Sequence, residues 1–484
     1  MIPDIVPRMV SRVDKKHGSK EVLPDDESSI CTFPPEVLSA IFAAGTEIEE
    51  TSSTDSNPLS GEADLSFELL VSHVCSYFRD IAIGTPSLWT SIFIAPTTKS
   101  EKLLTYTARS LACGLDLRVD MSGWASSGLG RYAMMEMINF VSAQSHRWRR
   151  LSIAAAGESE NNTIVMVLCS RNAPALEYLS ICVDNVEHVD EGVVRRSACE
   201  PRIFSQGAPR LSFVRLRGLA IYLFRPPLQE LTTLHLDQTK ALPMRFSMFR
   251  DMVTLSPALA HLSLYGDIIG NESWSGRALI ILPALRSLRI CGISGRVYGG
   301  ALQAIDAPQL ESLVLKDLHE HDLDGLWDDV EAVARYCHLK HLTFCDFEVS
   351  DFAYKRLLRA FPDITEFSSF YSSIGTSPIS PILAAANDVE SDCATKRPWP
   401  LLHTLAFLFD DDEDEDWIKN VVMRRKETGR PLVKLRFGTN YAGVFKRWKN
   451  NVVLENTLEI ETFSDIDKWP ANRSYPDQDD GLFP

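Results

Sequence analysis

From about residue 148 onward one short pattern recurs along the chain: apolar, two variable residues, apolar, one variable residue, apolar. It reads Trp148/Leu151/Ile153, Leu176/Leu179/Ile181, Leu211/Val214/Leu216, Leu231/Leu234/Leu236, Leu259/Leu262/Leu264 and Leu285/Leu288/Ile290. It continues as Leu310/Leu313/Leu315, Leu339/Leu342/Phe344, Ile364/Phe367, Leu402/Leu405/Phe407 and Leu432/Leu435/Phe437. Residues two apart on a strand face the same way, so Leu313 and Leu315 share an inward face. Ser312 and Val314 then point to the opposite, solvent side. A single copy is expected by chance in a leucine-rich chain. Eleven copies with a mean spacing of about 28 residues predict one strand per repeat.

Prolines precede many copies, at Pro174, Pro209, Pro257, Pro283, Pro308, Pro362 and Pro400. Proline ends a helix and favours extended backbone before it, so an extended approach to each strand is expected. Between copies the apolar period changes. Leu326, Val330, Val333, Ala334 and Cys337 fall on one helical face. Ser350 reads as the cap of a helix over 351–360, and 417–426 reads as another helix that Gly429 ends. Strand plus helix at this period resembles a leucine-rich repeat of the longer kind. The resemblance implies an α/β solenoid with a parallel sheet on its concave face and helices on its convex face. The asparagine usual after the strand is mostly missing, so the repeats are degenerate.

Residues 31–94 follow a different rule. Val37, Leu38, Ile41 and Phe42 give one apolar helical face after Thr32 and the prolines at 34 and 35. Residues 46–64 are polar and turn-rich and read as a flexible insertion. Leu70, Val74, Phe78 and Ile81 predict a second helical run over 67–82, closed by Thr85-Pro86-Ser87-Leu88-Trp89 and a short strand at 91–94.

This segment resembles the F-box, and its closing Thr-Pro-Ser-Leu-Trp is similar to fungal F-box proteins. The matching residues are Pro34, Glu36, Leu38, Ile41, Phe42, Val74, Cys75, Arg79, Ile81, Ala82, Pro86, Leu88 and Trp89, whereas Phe33, Ser76 and Phe78 depart from the pattern. The resemblance implies a three-helix unit that docks the Skp adaptor of a cullin-RING ubiquitin ligase while the repeats hold a protein substrate. On that reading Phe33, Pro34, Pro35, Leu38, Ile41, Phe42, Val74, Cys75, Phe78 and Trp89 are the adaptor-binding candidates. Pro34→Ala with Leu38→Ala is then expected to abolish adaptor capture and leave the fold intact. Arg215, His235, Arg289 and Lys340 are substrate-binding candidates on the strands. A plain repeat scaffold, with the F-box-like segment serving only as an N-terminal cap, is the alternative.

The expected organisation is a tail at 1–30, the F-box-like unit at 31–94, a helical connector at 95–145, the solenoid at 146–440, and a C-terminal cap and tail at 441–484. In the connector, Leu103, Leu104, Thr107 and Leu111, then Met134, Met137, Ile138 and Val141, form two amphipathic stretches.

Composition narrows the function. The chain has 484 residues, 45% of them hydrophobic, enough for a large core, and a net charge of −16. That sign opposes generic binding to nucleic acid and to anionic membranes. No apolar run is long enough to span a bilayer, and the N-terminus lacks the apolar core of a secretory signal. None of the ten cysteines has Cys-x-x-Cys spacing, so buried free thiols in a reducing compartment, cytoplasmic or nuclear, are expected. Candidate chemistry is sparse. His319-Glu320-His321-Asp322 has metal-ligand residue types but reads as a loop, and the acidic run 410–416 reads as a solvated approach to a helix. No phosphate-binding or nucleophile motif occurs. The expectation is a non-catalytic protein with no metal and no cofactor.

Overall fold

The computed structural model describes residues 30–52, 66–121, 130–155, 158–184, 201–239, 242–269, 279–292, 296–319, 322–327, 331, 334–346, 356, 360–370, 399–407, 421–423, 425–427, 429–438, 458–463 and 469. The expected tail 1–30, apart from Ile30, the acidic run, and Glu320 and His321 lie outside them.

Each of the eleven copies forms a strand. These are β3 (Trp148–Ala155), β4 (Tyr178–Val183), β5 (Phe213–Gly218), β6 (Thr233–Asp237) and β7 (His261–Tyr265). After β8 (Ile280–Ile281) come β9 (Ser287–Cys291), β10 (Ile305–Asp306), β11 (Ser312–Lys316), β12 (His341–Cys345), β13 (Glu366–Phe370), β14 (Thr404–Phe407) and β15 (Lys434–Gly438). Two strands precede them, β1 (Ser91–Ile94) and β2 (Leu115–Asp120), and β16 (Glu459–Phe463) follows. Apart from β8 and β10, which pair with each other, these strands form one fourteen-stranded sheet in chain order among the described residues. Neighbours run parallel, as in β5–β6 and β11–β12. The region expected as a helical connector thus contributes a strand, and so does the region expected as a cap.

Register explains the pattern. Val214, Leu234, Leu262, Leu288, Leu313, Leu342 and Phe367 stand opposite one another from strand to strand and are all buried. Leu216, Leu236, Leu264, Ile290, Leu315 and Phe344 form the next row. One apolar core runs from Leu38 to Leu458.

The prolines act differently from expectation. The amide of Leu176 bonds to the carbonyl of Ala173, Leu211 to Ala208, Leu259 to Ser256, Leu285 to Leu282, Leu310 to Ala307 and Leu402 to Trp399. Each is a four-residue turn whose second position is proline, where the fixed φ suits the geometry. Proline therefore starts a turn that delivers the first leucine to the core, rather than an extended approach.

A second turn replaces the missing asparagine. Gly218, Gly266, Asp317 and Asp346 occupy equivalent positions at the strand ends, and all have positive φ. The amides of Gly266, Asp317 and Asp346 bond to the carbonyls of Cys291, Cys345 and Phe370. Aspartate tolerates this backbone region, whereas glycine is required where the neighbour is close. A Cβ on Gly266 would lie 2.1 Å from the carbonyl oxygen of Gln238, and one on Gly218 2.4 Å from that of Val183.

Three helices stand before the sheet: α1 (Pro35–Ser52), α2 (Phe67–Val74) and α3 (Ser76–Ile83). Residues 46–52, expected in a flexible insertion, continue α1, where Glu47, Glu49 and Glu50 are good helix formers. The single helix expected over 67–82 is broken at Cys75, whose backbone is extended. Its Sγ accepts a bond from the Phe78 amide at 3.4 Å and caps α3. After β1 come α4 (Ser100–Arg109) and, beyond β2, α5 (Gly130–Ser142). In α4 the buried face is Leu103 and Tyr106, with Leu104 and Leu111 exposed. In α5 Met134, Ile138 and Val141 are buried as expected. Among the described residues no helix is long and apolar enough to cross a membrane.

Candidate functional site

Two regions gather the candidate residues. The first is the helical end. Packing divides its adaptor-binding candidates into two sets. Leu38, Phe42, Phe78 and Trp89 belong to the core, and Phe42 meets Phe78 edge-on at 5.2 Å. Phe33, Pro34, Pro35, Ile41 and Val74 are exposed, and Cys75 is half-buried. The expectation that Leu38 can be truncated without harm is therefore corrected, because its side chain is fully enclosed. Two residues outside the adaptor-binding candidates extend this exposed set: Val37, one turn before Ile41, and Leu70, one turn before Val74. Both are exposed apolar side chains.

Trp89 ties this end to α4, the helix between β1 and β2. Its Nε1 donates to the carbonyl of Ala82 at 2.8 Å, its ring meets Tyr106 edge-on at 5.2 Å, and the Arg109 guanidinium lies 4.3 Å from the ring centre. The Tyr106 hydroxyl donates to the buried Glu68 of α2. Burial first, then that bond, pushes the phenol well above its usual pKa range.

The second region is the sheet's outer face. Arg215, His235, Ser263 and Arg289 stand in one row across β5, β6, β7 and β9. These were expected to face solvent, yet Arg215 is 1% exposed, His235 0% and Arg289 4%. Arg215 Nε lies 2.9 Å from the buried Asp237 Oδ2. The Arg215 and Arg289 Nη2 groups lie 3.0 and 3.5 Å from His235 Nδ1. Guanidinium nitrogens only donate, so Nδ1 is an acceptor and its proton sits on Nε2. Arg289 also donates to Ser263 Oγ at 3.3 Å. Lys340 is not in this row. It is exposed just ahead of β12 and 3.8 Å from Glu311.

What covers the row is Trp469, six positions beyond the end of β16 and absent from the sequence-level candidates. Its Nε1 donates to Ser287 Oγ at 2.7 Å. The Arg289 guanidinium sits 4.1 Å from its ring centre, within cation–π range. His235 and His261 meet it edge-on at 4.9 and 5.8 Å. The aromatic row continues through Phe213, which stacks on Tyr178 at 4.5 Å. The one available signal was a lone tryptophan in a polar terminal stretch.

His261 carries a pH prediction. Burial first, and the Arg286 charge second, lower its pKa from 6.5 to about 4. Between those values the unfolded chain binds more protons than the fold, so stability falls as the pH drops from about 6.5 to about 4. Below that window this residue adds no further loss. Thermal melts across the window are expected to show this decline in the wild type and a shallower one in His261→Gln. Equal slopes would remove His261 as the cause.

The thiols depart from expectation. Of the eight described cysteines only Cys291 and Cys345 are buried, and burial pushes the Cys345 thiol up to about 12. Cys337 is exposed because it occupies the turn position that proline holds elsewhere. His319 is exposed, with its amide bonded to Asp322 Oδ2 at 2.6 Å, a local turn contact. No group of residues suited to a metal ion occurs among the described residues.

No protein-family model matches the chain, and no curated protein matches it. Among solved structures it is similar to the crystal structure of the TLR13–ssRNA13 complex, with 12% identity and a TM-score of 0.34 over 80% of this chain and 54% of that one. The chain thus spans about half the length of that neighbour. By strand order, register and repeat period, the protein is an α/β solenoid of leucine-rich-repeat type.

Proposed function

We propose that this chain is the non-catalytic substrate-recognition subunit of a Skp-cullin-F-box ubiquitin ligase. Its N-terminal helices dock the Skp adaptor, and its solenoid binds a protein client. One observation carries this reading. The helical unit buries Leu38, Phe42, Phe78 and Trp89 yet leaves Phe33, Val37, Ile41, Leu70 and Val74 exposed. Apolar side chains at one-turn spacing on neighbouring helices mark a surface that a partner covers. The F-box-like residues Pro34, Glu36, Ile41, Val74 and Pro86 support the same reading. A ligase receptor performs no bond chemistry of its own; it raises the client's local concentration beside the transferring enzyme. The Trp89–Tyr106–Glu68 joint suits that task, because it holds the docking end in a fixed orientation to α4.

The test is capture of the full chain by an immobilised Skp adaptor. Ile41→Asp with Val74→Asp is expected to weaken capture roughly a hundredfold, since each buries a charge at the contact. The melting temperature should hardly move, because both positions are exposed in the free protein. Undiminished capture by the variant would defeat this reading. The joint at Trp89 also favours a second reading, in which the helices only cap the sheet edge. A wild-type chain that fails to bind the adaptor would support that instead.

A further inference from the structure

We infer that the middle of the sheet face opposite the leucine core is a binding site for a tryptophan-bearing peptide segment, and that this chain's own Trp469 occupies the site in the free protein. The inference deepens the client-binding reading of the solenoid and rests on it.

Three observations point to a built site. First, the polar floor is enclosed and organised. Arg215, His235, Asp237, Ser263 and Arg289 are each more than nine-tenths buried and held to one another at 2.9–3.5 Å. A solenoid sheet needs no such group for its core, because the Leu rows on the other face supply that. Burying two guanidiniums is costly unless their charge is used. Second, the occupant engages every feature that distinguishes an indole. Its N–H reaches Ser287 Oγ, its π-face takes the Arg289 guanidinium, and its edges meet His235 and His261. Phenylalanine would lack the first contact, and an aliphatic side chain all of them. Third, the floor has two guanidiniums and one carboxylate among its described members, in a chain of net charge −16. His261, held neutral by burial, adds no charge at pH 7. A cationic floor in an acidic protein selects an aromatic residue in an acidic setting. Asp465 and Asp467 stand ahead of Trp469 in the chain, with Lys468 between them and the indole.

Trp469 is only half-buried and is joined to the sheet by a short covalent link. A tethered occupant competes as if present at about millimolar concentration. An outside ligand of equal intrinsic affinity therefore binds more weakly by the factor with which the tether fills the site. A client with the same anchor displaces Trp469, so the site screens for ligands that outbind the resident tryptophan.

The test uses the full chain and a fluorescein-labelled peptide of this chain's own residues 459–478, followed by fluorescence anisotropy at physiological salt. Trp469→Ala protein is expected to bind the peptide at least tenfold more tightly than wild-type protein. The same peptide carrying W469A is expected to bind at least tenfold more weakly, as is the Trp469→Ala protein carrying Arg289→Ala. Equal affinity of the two proteins, binding indifferent to the peptide's tryptophan, or no binding to either protein would each overturn the inference. Circular dichroism melts verify that Trp469→Ala is folded. Should it not fold, Trp469→Phe keeps the ring without the Ser287 bond and is expected to show a smaller gain, with no gain overturning the inference. No adaptor is present in this assay, so its failure is distinct from failure of the adaptor capture above.

Discussion

Trp89→Ala is expected to destabilise the N-terminal half of the molecule by about 3–5 kcal/mol, the range for emptying a buried tryptophan site. The side chain is fully enclosed and contacts two helices at once: Ala82 of α3 through Nε1, and Tyr106 and Arg109 of α4 through its ring. Its loss leaves a cavity and also a buried carbonyl at Ala82 without its indole donor. In a solenoid, stability is close to a sum over neighbours. The loss should therefore appear as early melting of α1 to α4, while the strands from β5 onward keep their midpoint. Hydrogen exchange along the chain under mild denaturant separates the two regions. Trp89→Phe keeps most of the ring, and the Ala82 carbonyl keeps the Thr85 amide as a donor, so a smaller loss of about 1 kcal/mol is expected for the missing indole bond. A uniform shift of all strands, or a loss below about 1 kcal/mol for the alanine variant, would show that Trp89 does not join the N-terminal helices to α4.

Asp237→Ala is expected to cost a similar amount, about 3–5 kcal/mol, for a different reason. Asp237 and Arg215 are both 1% exposed and 2.9 Å apart. Removing the carboxylate leaves a guanidinium buried without its counter-charge. The loss should be centred on β5 to β7, and denaturant melts with exchange readout measure it. Replacing both partners by apolar residues, Arg215→Met with Asp237→Leu, removes the buried charges together and is expected to recover most of the loss. If the double variant is as unstable as the single one, the pair's value lies in its wider contacts with His235 and the row beyond. Either outcome leaves the fold's dependence on this pair measurable, because the alanine variant alone sets the scale.

The repeats were legible because their rule is local. Strand pitch forces side chains two apart onto one face, so Leu313 with Leu315, or Leu234 with Leu236, could be assigned from spacing alone. The helical end was legible for the same reason, as in Leu38 with Phe42. Several details were not. A break at Cys75 depends on one side chain capping the next helix, and nothing in the apolar period marks it. The positive-φ position at the ends of β5, β7, β11 and β12 is glycine or aspartate, which share a backbone region but no letter, so the ladder through Gly218, Gly266, Asp317 and Asp346 stayed hidden. Exposure within an apolar stripe was also invisible: Ile41 and Phe42 are adjacent and equally apolar, yet one faces out and the other is enclosed.

By itself the sequence determined the eleven repeat strands and their spacing, the direction of their apolar rows and the helical character of residues 35–42, but not β2 or β16. Each follows from geometry within a few residues. Only the tertiary structure decided how the opposite face of the sheet is filled. Arg215, His235 and Arg289 alternate with core leucines and read as solvated positions, but a residue's burial depends on what arrives from elsewhere in the chain. Here Trp469 meets Ser287 across 182 positions of sequence. No periodicity reaches that far, because the contact joins a residue beyond the last strand to one on β9.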